Sequence, residues 1–224
     1  MSAHFSIVNF RHPEGSDAGS LVTDCAIDLG ATVDIISSQK DELFSNFNYG
    51  NINWRDLLQN KHWLVNSSTT VLQGISPSNA WGASMIFGEL EGTKTVMVVD
   101  VPADVNQLSE MWGSIINRIR QIHILFFTSK ALDLISKLEN TSNQLLLSKI
   151  RLKGLVPIVC TYDDNKNIAQ IAHSSGEISV KLEIQLTYYY WLANFINGLS
   201  LINSNKDDIL HAASYLNNRK NQII

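Results

Sequence analysis

Residues 5–36 read FSIVNFRHPEGSDAGSLVTDCAIDLGATVDII, and this stretch contains one complete strand–helix–strand unit. The apolar run at 5–10 is typical of a buried strand, and the apolar residues from Ala18 to Leu29 follow helical spacing. Gly30 suits the end of a helix, because glycine adopts the left-handed conformation without steric cost. The second apolar run, at 31–36, predicts another strand.

The rest of the chain repeats this alternation of short apolar runs and longer helical patterns. Strands are predicted at 62–65, 95–99, 122–127, 155–160, 168–173 and 178–184, and helices at 54–58, 76–90, 108–119, 131–138, 145–150, 187–201 and 206–219. A further short helix is predicted through Phe44, because Ser38 and Asp41 resemble a capping box.

This order of elements favours one fold class. Continuous apolar strands separated by helices of about 10–15 residues are typical of a mostly parallel sheet with helices on both faces. Residues 1–224 are therefore predicted to form a single doubly wound α/β domain. Ligands of such domains bind beyond the carboxyl ends of the strands.

The composition limits the kinds of partner. The formal net charge is −4 and the 17 basic residues are scattered, so no basic face for nucleic acid is predicted. No segment approaches the roughly 20 apolar residues of a membrane helix, and the N-terminal residues do not resemble a secretion signal. Cys25 and Cys160 each lie in an apolar stretch, which is typical of buried thiols in a reducing compartment. We expect a soluble, cytoplasmic protein.

Several short motifs follow one another along the chain. Residues 15–20 (GSDAGS) open the first helix, and residues 28–33 (DLGATV) follow it. The other motifs are residues 41–44 (DELF), 52–55 (INWR), 63–64 (WL), 74–77 (GISP), Asp100, Leu108, 124–127 (ILFF) and 195–199 (FINGL). In this order they resemble motifs of the ribokinase (PfkB) family of carbohydrate kinases, most of all its 2-keto-3-deoxygluconate and fructose kinase branches. The resemblance covers nearly the whole chain and implies a ribokinase-like fold.

The same resemblance implies that the catalytic machinery has been replaced. In the family, glycine amides at a helix N-terminus form an anion hole for the transferred phosphate, and an aspartate is the base. The matching stretch here is 187–193 (TYYYWLA), and the two possible alignments place Ala193 or Trp191 at the base position. Neither side chain accepts a proton, and no glycine remains in the stretch. A general base is commonly worth about 10²–10⁴ in rate, so its loss predicts an inactive protein.

Other positions that the family uses have changed as well. The motif that organises Mg²⁺ corresponds to 128–131 (TSKA), and the glycine-rich nucleotide motif corresponds to 161–166 (TYDDNK). A sugar-binding asparagine corresponds to Ser20, and an asparagine and an arginine near the sugar correspond to Pro102 and Asp104. Hard Mg²⁺ prefers carboxylate and phosphate oxygens, and 128–131 supplies none. We predict no catalytic residue, no metal site and no cofactor.

A segment that family members carry is missing. Their small β-sheet lid over the sugar lies before the central helix, whereas here Phe44 is followed within nine residues by Asn53 and Trp54. Nine residues are too few for several strands at about 3.3 Å per residue. The lid also supplies the family's usual dimer contact, so its absence puts that homodimer in doubt.

The remaining candidate site residues are few. Asp100 and Ser20 are candidates for ligand binding, with a plain strand-end or helix-cap role as the alternative for Asp100. An aromatic run could form an interaction surface or fill the vacated nucleotide groove as core: Tyr188, Tyr189, Tyr190 and Trp191. The six histidines have no metal-binding spacing.

These observations support three functional hypotheses. The first is a non-catalytic pseudokinase that acts as an interaction or scaffolding subunit with a protein partner or a larger assembly. The second is a sensor that binds a sugar or a nucleotide without turnover. The third is an active PfkB-type sugar kinase with relocated catalytic residues.

Overall fold

The computed structural model describes residues 5–39, 42–200 and 206–214. These ranges contain eight strands: β1 (Ser6–Phe10), β2 (Thr32–Ile36), β3 (Trp63–Ser67), β4 (Lys94–Val99), β5 (Ile124–Phe127), β6 (Ile158–Asp163), β7 (Ile168–His173) and β8 (Gly176–Lys181). All eight belong to one sheet with the order β2-β1-β3-β4-β5-β6-β7-β8. The first six are parallel, and β7 and β8 continue the sheet as antiparallel strands.

Helices cover both faces of this sheet. They are α1 (Ala18–Asp28), α2 (Trp54–Leu58), α3 (Ile75–Glu91), α4 (Leu108–Asn117), α5 (Ser129–Leu138), α6 (Asn143–Gly154), α7 (Tyr188–Ser200) and α8 (Lys206–Ala213). Helices α2 to α6 contribute to one buried apolar layer, and α1, α7 and α8 contribute to the layer on the other face. The predicted doubly wound, mostly parallel α/β fold is therefore confirmed.

The first strand–helix–strand unit shows why the sequence folds this way. The Asp17 side chain accepts a hydrogen bond from the Ser20 backbone N–H at 3.0 Å and so caps the start of α1. Gly19 lets α1 approach the sheet closely, since a Cβ there would lie 3.1 Å from the Ser67 backbone nitrogen. Gly30, with φ of 91°, reverses the chain into β2 as predicted.

Local sequence signals failed in two places. The short helix predicted through Phe44 is wrong: residues 42 and 43 are not helical, and a 3₁₀ turn begins at Phe44, while Asp41 lies outside the described residues. The Phe44 ring packs 5.6 Å from the Phe10 ring, and this burial outweighs local capping. The sequence alone suggests Ser129 as the cap of α5, whereas the structure has Thr128 in this role, one residue earlier. The last helix was predicted to reach residue 219, and its part beyond residue 214 also lies outside the described ranges.

The segment between β2 and β3 has no lid strand in its described part, residues 37–39 and 42–62. It consists of the 3₁₀ turns Phe44–Asn46 and Tyr49–Asn51 and the short helix α2. Phe47 packs against Phe10 with ring centroids 5.5 Å apart, so this segment packs directly against the core. No helix within the described ranges is both long and apolar enough to cross a membrane.

Candidate functional site

The sheet topology places a crevice beside β1. Strand β1 has β2 on one side and β3 on the other, so the chain reverses its winding direction here. In doubly wound sheets ligands bind at this point, outside the carboxyl ends of the strands. A cavity of about 380 Å³ lies there. Its lining consists of His12, Glu14, Ser16, Asp17, Ala18, Thr69, Thr70, Gln73, Asp100, Val101 and Ala103.

Asp100 lies in this cavity, immediately after β4, and its position is fixed by hydrogen bonds. The Thr128 hydroxyl donates to Asp100 Oδ1 at 2.9 Å, and the Asp100 backbone N–H donates to the Ser68 hydroxyl at 3.1 Å. Thr128 is also the cap residue of α5, so Asp100 links the ends of β4 and β5. The strand-end role and the ligand-binding role are compatible at this position.

Ser20, a candidate for ligand binding, does not line the cavity. Its side chain is fully buried, with 0% exposure, and its hydroxyl donates to Asp17 Oδ2 at 2.5 Å. The Ser20 hydroxyl is therefore engaged in a hydrogen bond within the first turn of α1. The cavity-lining residues that the sequence did not single out are His12 and Glu14, which lie outside the motifs, and Asp17, which lies in motif 15–20 without having been a candidate. Their position after β1 and at the start of α1 could have indicated them, because ligands of doubly wound domains bind beyond the carboxyl ends of the strands.

The predicted aromatic run begins α7, and its members have different surroundings. Trp191 is 1% exposed and stacks on Tyr162 and Phe195, with ring centroids 5.5 and 5.0 Å apart. A side chain this buried has no surface for a partner, so Trp191 is a core residue, which is one of the two roles considered for the run. Tyr189 and Tyr190 are half-buried.

Tyr188 is the first residue of α7 and is half-buried. Its ring stacks on Phe126 at 5.8 Å, and burial raises the pKa of its hydroxyl. The charges of Asp100 and Asp164 raise that pKa further. Tyr188 therefore remains protonated, and its ring packs on β5.

The start of α7 is capped by the chain itself. The Asp164 carboxylate accepts a hydrogen bond from the Tyr188 backbone N–H. Burial nevertheless raises the pKa of Asp164, the neighbouring charge of Asp163 contributes, and its Oδ1 is buried without a hydrogen-bond partner among the described residues. The N-terminus of a helix is a favourable position for an anion, and here a protein carboxylate already takes it.

The residues around this point are held in local contacts. The Thr161 hydroxyl donates to the Phe127 carbonyl at 2.9 Å, and Ala131, on α5, is fully buried. Asp163 is the last residue of β6, and Asp164 follows it. No group of three potential metal-ligand side chains occurs among the residues that the structure describes.

These features define the class of protein. An eight-stranded, doubly wound sheet ending in an antiparallel pair, with a crevice beside β1, is the ribokinase-like α/β fold. Solved structures of carbohydrate kinases share it: a PfkB protein from Polaromonas sp. JS666 superposes with a TM-score of 0.67 at 7% identity, covering 94% of both chains.

Two other kinases are similar. A fructokinase from Vibrio cholerae O395, solved with fructose, ADP and calcium, has a TM-score of 0.69 at 12% identity over 95% of this chain and 90% of its own. The 2-dehydro-3-deoxygluconokinase from Thermotoga maritima has a TM-score of 0.67 at 9% identity, covering 94% and 91%. No family model and no curated protein matches the sequence. The predicted resemblance is therefore confirmed at the level of the fold.

Proposed function

We propose that this chain is a non-catalytic pseudokinase that acts by binding a protein partner. The observation that carries the proposal is the closed start of α7. Asp164 caps this end, the half-buried Tyr188 ring stacks on Phe126, and Trp191 is 1% exposed.

The proposal has a simple electrostatic basis. Phosphoryl transfer needs backbone donors and cations aimed at the phosphate, because negative charge accumulates in the transition state. At the start of α7 the nearest groups are instead a carboxylate and two large rings, and the aligned base positions hold Ala193 or Trp191, both buried. Removing one anion-hole donor commonly costs about 10²–10³ in rate, and here a base is missing too.

A kinase assay tests the catalytic part of the proposal. Purified protein is incubated with ATP, Mg²⁺ and either fructose or 2-keto-3-deoxygluconate, and ADP release is measured. We expect no release above the rate without sugar. Sugar-dependent turnover that disappears in Asp100→Asn would contradict the proposal, and this variant separates true activity from a contaminating kinase.

Binding of a protein partner is supported by an exposed surface, here called the rim, that carries Leu43 and Ile75. In other members of the fold a lid would cover this surface. Leu43 is 71% exposed and Ile75 is 83% exposed. A Cβ at Gly74 would lie 3.4 Å from the Ser45 side chain, so the segments that carry Leu43 and Ile75 are in contact. Large exposed aliphatic side chains grouped at a rim are typical of protein-binding surfaces.

A photo-crosslinking residue tests this surface. We expect one protein to be captured from cells when the crosslinker replaces Ile75, and none when it replaces Lys130 on α5. Binding of that purified protein should then weaken in Leu43→Asp and Ile75→Asp. Equal capture from both positions, or unchanged binding of the aspartate variants, would contradict a partner at the rim.

The proposed location is the cytoplasm. Cys25 and Cys160 are both free thiols, and burial raises the pKa of each, so neither is an exposed reactive thiolate. Cell fractionation tests this, and recovery of the chain in a secreted fraction would contradict it.

A sensor without turnover is the second candidate, favoured by the cavity of about 380 Å³ beside β1. Its lining includes the carboxylates of Glu14, Asp17 and Asp100, which can accept hydrogen bonds from sugar hydroxyls. Thermal shift assays with fructose and sugar acids test whether the chain binds a sugar, because a ligand that binds only the folded state raises the stability of the protein. A shift that is lost in Asp100→Ala, and kept in Glu110→Ala on α4, would support this candidate.

A further inference from the structure

A second cleft, of about 680 Å³, lies along α3 and next to the end of α4. It shares no lining residue with the crevice beside β1, and the 3₁₀ helix Ser68–Leu72 lies between them. Residues 118–121, which follow α4, form one wall, and the N-terminal half of α3 forms another. The volume is within the range of about 300–1,000 Å³ that is common for small-molecule sites.

Arg118 is the main charged group of this cleft, and α3 is shaped to receive it. A Cβ at Gly82, in the middle of α3, would lie 2.5 Å from Arg118 Nη2 and 2.8 Å from Cζ. Only glycine leaves room for the guanidinium to lie across the helix in this way. Glycine is unfavourable in a helix interior relative to alanine, so this position gives up helix stability to accommodate the arginine.

The guanidinium has weak partners within the described residues. Arg118 Nη1 lies 3.4 Å from the Gly82 carbonyl oxygen and 3.5 Å from Gln121 Oε1, both long for hydrogen bonds to a cation. The ion pairs formed among the described residues include neither Arg118 nor Arg120, which also lines the cleft. Two cations therefore border the cleft with most of their hydrogen-bonding capacity unused.

A further feature of the cleft, separate from its two arginines, is the indole of Trp81. It is 1% exposed and lines the cleft, and its indole Nε1 is buried with no hydrogen-bond partner among the described residues. Ser78 and Asn79 contribute further polar groups to the lining. Glu89 is the carboxylate of the lining, and it accepts a hydrogen bond from Gln121 at 3.4 Å.

We propose that this cleft binds a small polyanion that carries carboxylate or phosphate groups. The planar guanidinium of Arg118 would bind one group in a bidentate manner, and Arg120 would contact a second. The proposal does not depend on whether the chain is a kinase or a pseudokinase, because none of these residues belongs to the crevice beside β1.

Isothermal titration calorimetry with citrate, inorganic pyrophosphate and uncharged glucose tests the proposal. We expect saturable binding of at least one anion and none of glucose, and comparison of citrate with pyrophosphate tells whether carboxylate or phosphate is preferred. Arg118→Met should weaken the Kd at least about tenfold, because charged hydrogen bonds are lost. Lys130→Met removes the same charge from exposed α5 and should leave the Kd unchanged.

A second pair of variants separates binding from folding. Gly82→Ala should displace the flexible guanidinium and weaken the Kd while α3 stays folded, because alanine favours helix. Gly113→Ala in α4 is its matched control, since a Cβ there meets nothing within 4 Å. The proposal is overturned if no anion binds saturably in the millimolar range. It is equally overturned if Lys130→Met weakens binding as much as Arg118→Met, or if Arg118→Met and Gly82→Ala leave the Kd unchanged.

Discussion

Replacing Trp191 by alanine distinguishes a core role for the aromatic run from an interaction surface. The side chain is 1% exposed and is stacked between Tyr162 and Phe195, with Phe126 at 6.0 Å. Its Nε1 donates a hydrogen bond to the Ala213 carbonyl oxygen at 3.2 Å. The ring thus joins α7 to β5, β6 and α8, and its removal leaves a cavity between them.

The expected loss follows from this burial. Truncation of a buried Trp to alanine costs about 3–5 kcal/mol, and domains of this kind are stable by about 5–15 kcal/mol. Trp191→Phe keeps most of the stacking and loses the hydrogen bond to Ala213, so it should cost about 1 kcal/mol plus a smaller cavity term. Tyr190→Ala, at the half-buried neighbouring position, should cost clearly less than Trp191→Ala.

Urea unfolding followed by far-UV circular dichroism measures these differences. At about 2–3 kcal/mol per molar urea, Trp191→Ala should lower the midpoint by about 1–2 M. A shift of less than about 0.3 M, with native secondary structure retained, would refute the core assignment, since a surface tryptophan is removed at little cost. Equal shifts for Trp191→Ala and Tyr190→Ala would also refute it.

Three further predictions concern helix packing and titration. Gly113→Ala should stabilise the protein by about 0.5–1 kcal/mol in urea unfolding, because a Cβ there meets nothing within 4 Å and alanine favours helix. Gly19→Ala should destabilise it by about 1–3 kcal/mol, because the new Cβ would lie 3.1 Å from the Ser67 backbone nitrogen. Burial raises the native pKa of Asp164, so this residue favours the folded state below its unfolded pKa and loses that contribution as pH rises. Asp164→Asn should therefore be more stable than wild type at pH 7 and lose this advantage in acid. A stability difference that does not change with pH would contradict the raised pKa. Burial, with Lys94 nearby, lowers the native pKa of His123, so stability should fall as pH drops below about 6.5, and His123→Asn should reduce this dependence in melts from pH 8 to 4.

The alternating pattern of the sequence was sufficient to predict the fold class. Buried parallel strands are apolar throughout, and the helices between them carry capping residues and glycine stops, so each element is marked by its own residues. Asp17 at the start of α1 and Gly92 at the end of α3 act within one or two turns of the chain. The resemblance to sugar kinases depended on the order of these elements, and the structure confirmed it as a likeness of fold.

The sequence alone could not assign the contacts of the candidate site. Ser20 and Trp191 were both plausible binding residues from their positions in motifs, and the structure places both in buried contacts. The cap that Asp164 provides for α7 joins positions 24 residues apart in sequence, through the folding back of β7 and β8. Likewise, Gly82 and Arg118 meet only because α3 packs against the 3₁₀ turn Ile119–Gln121 that follows α4. Local patterns determined which strands and helices form, whereas these pairings arise from how the elements pack on the two faces of the sheet.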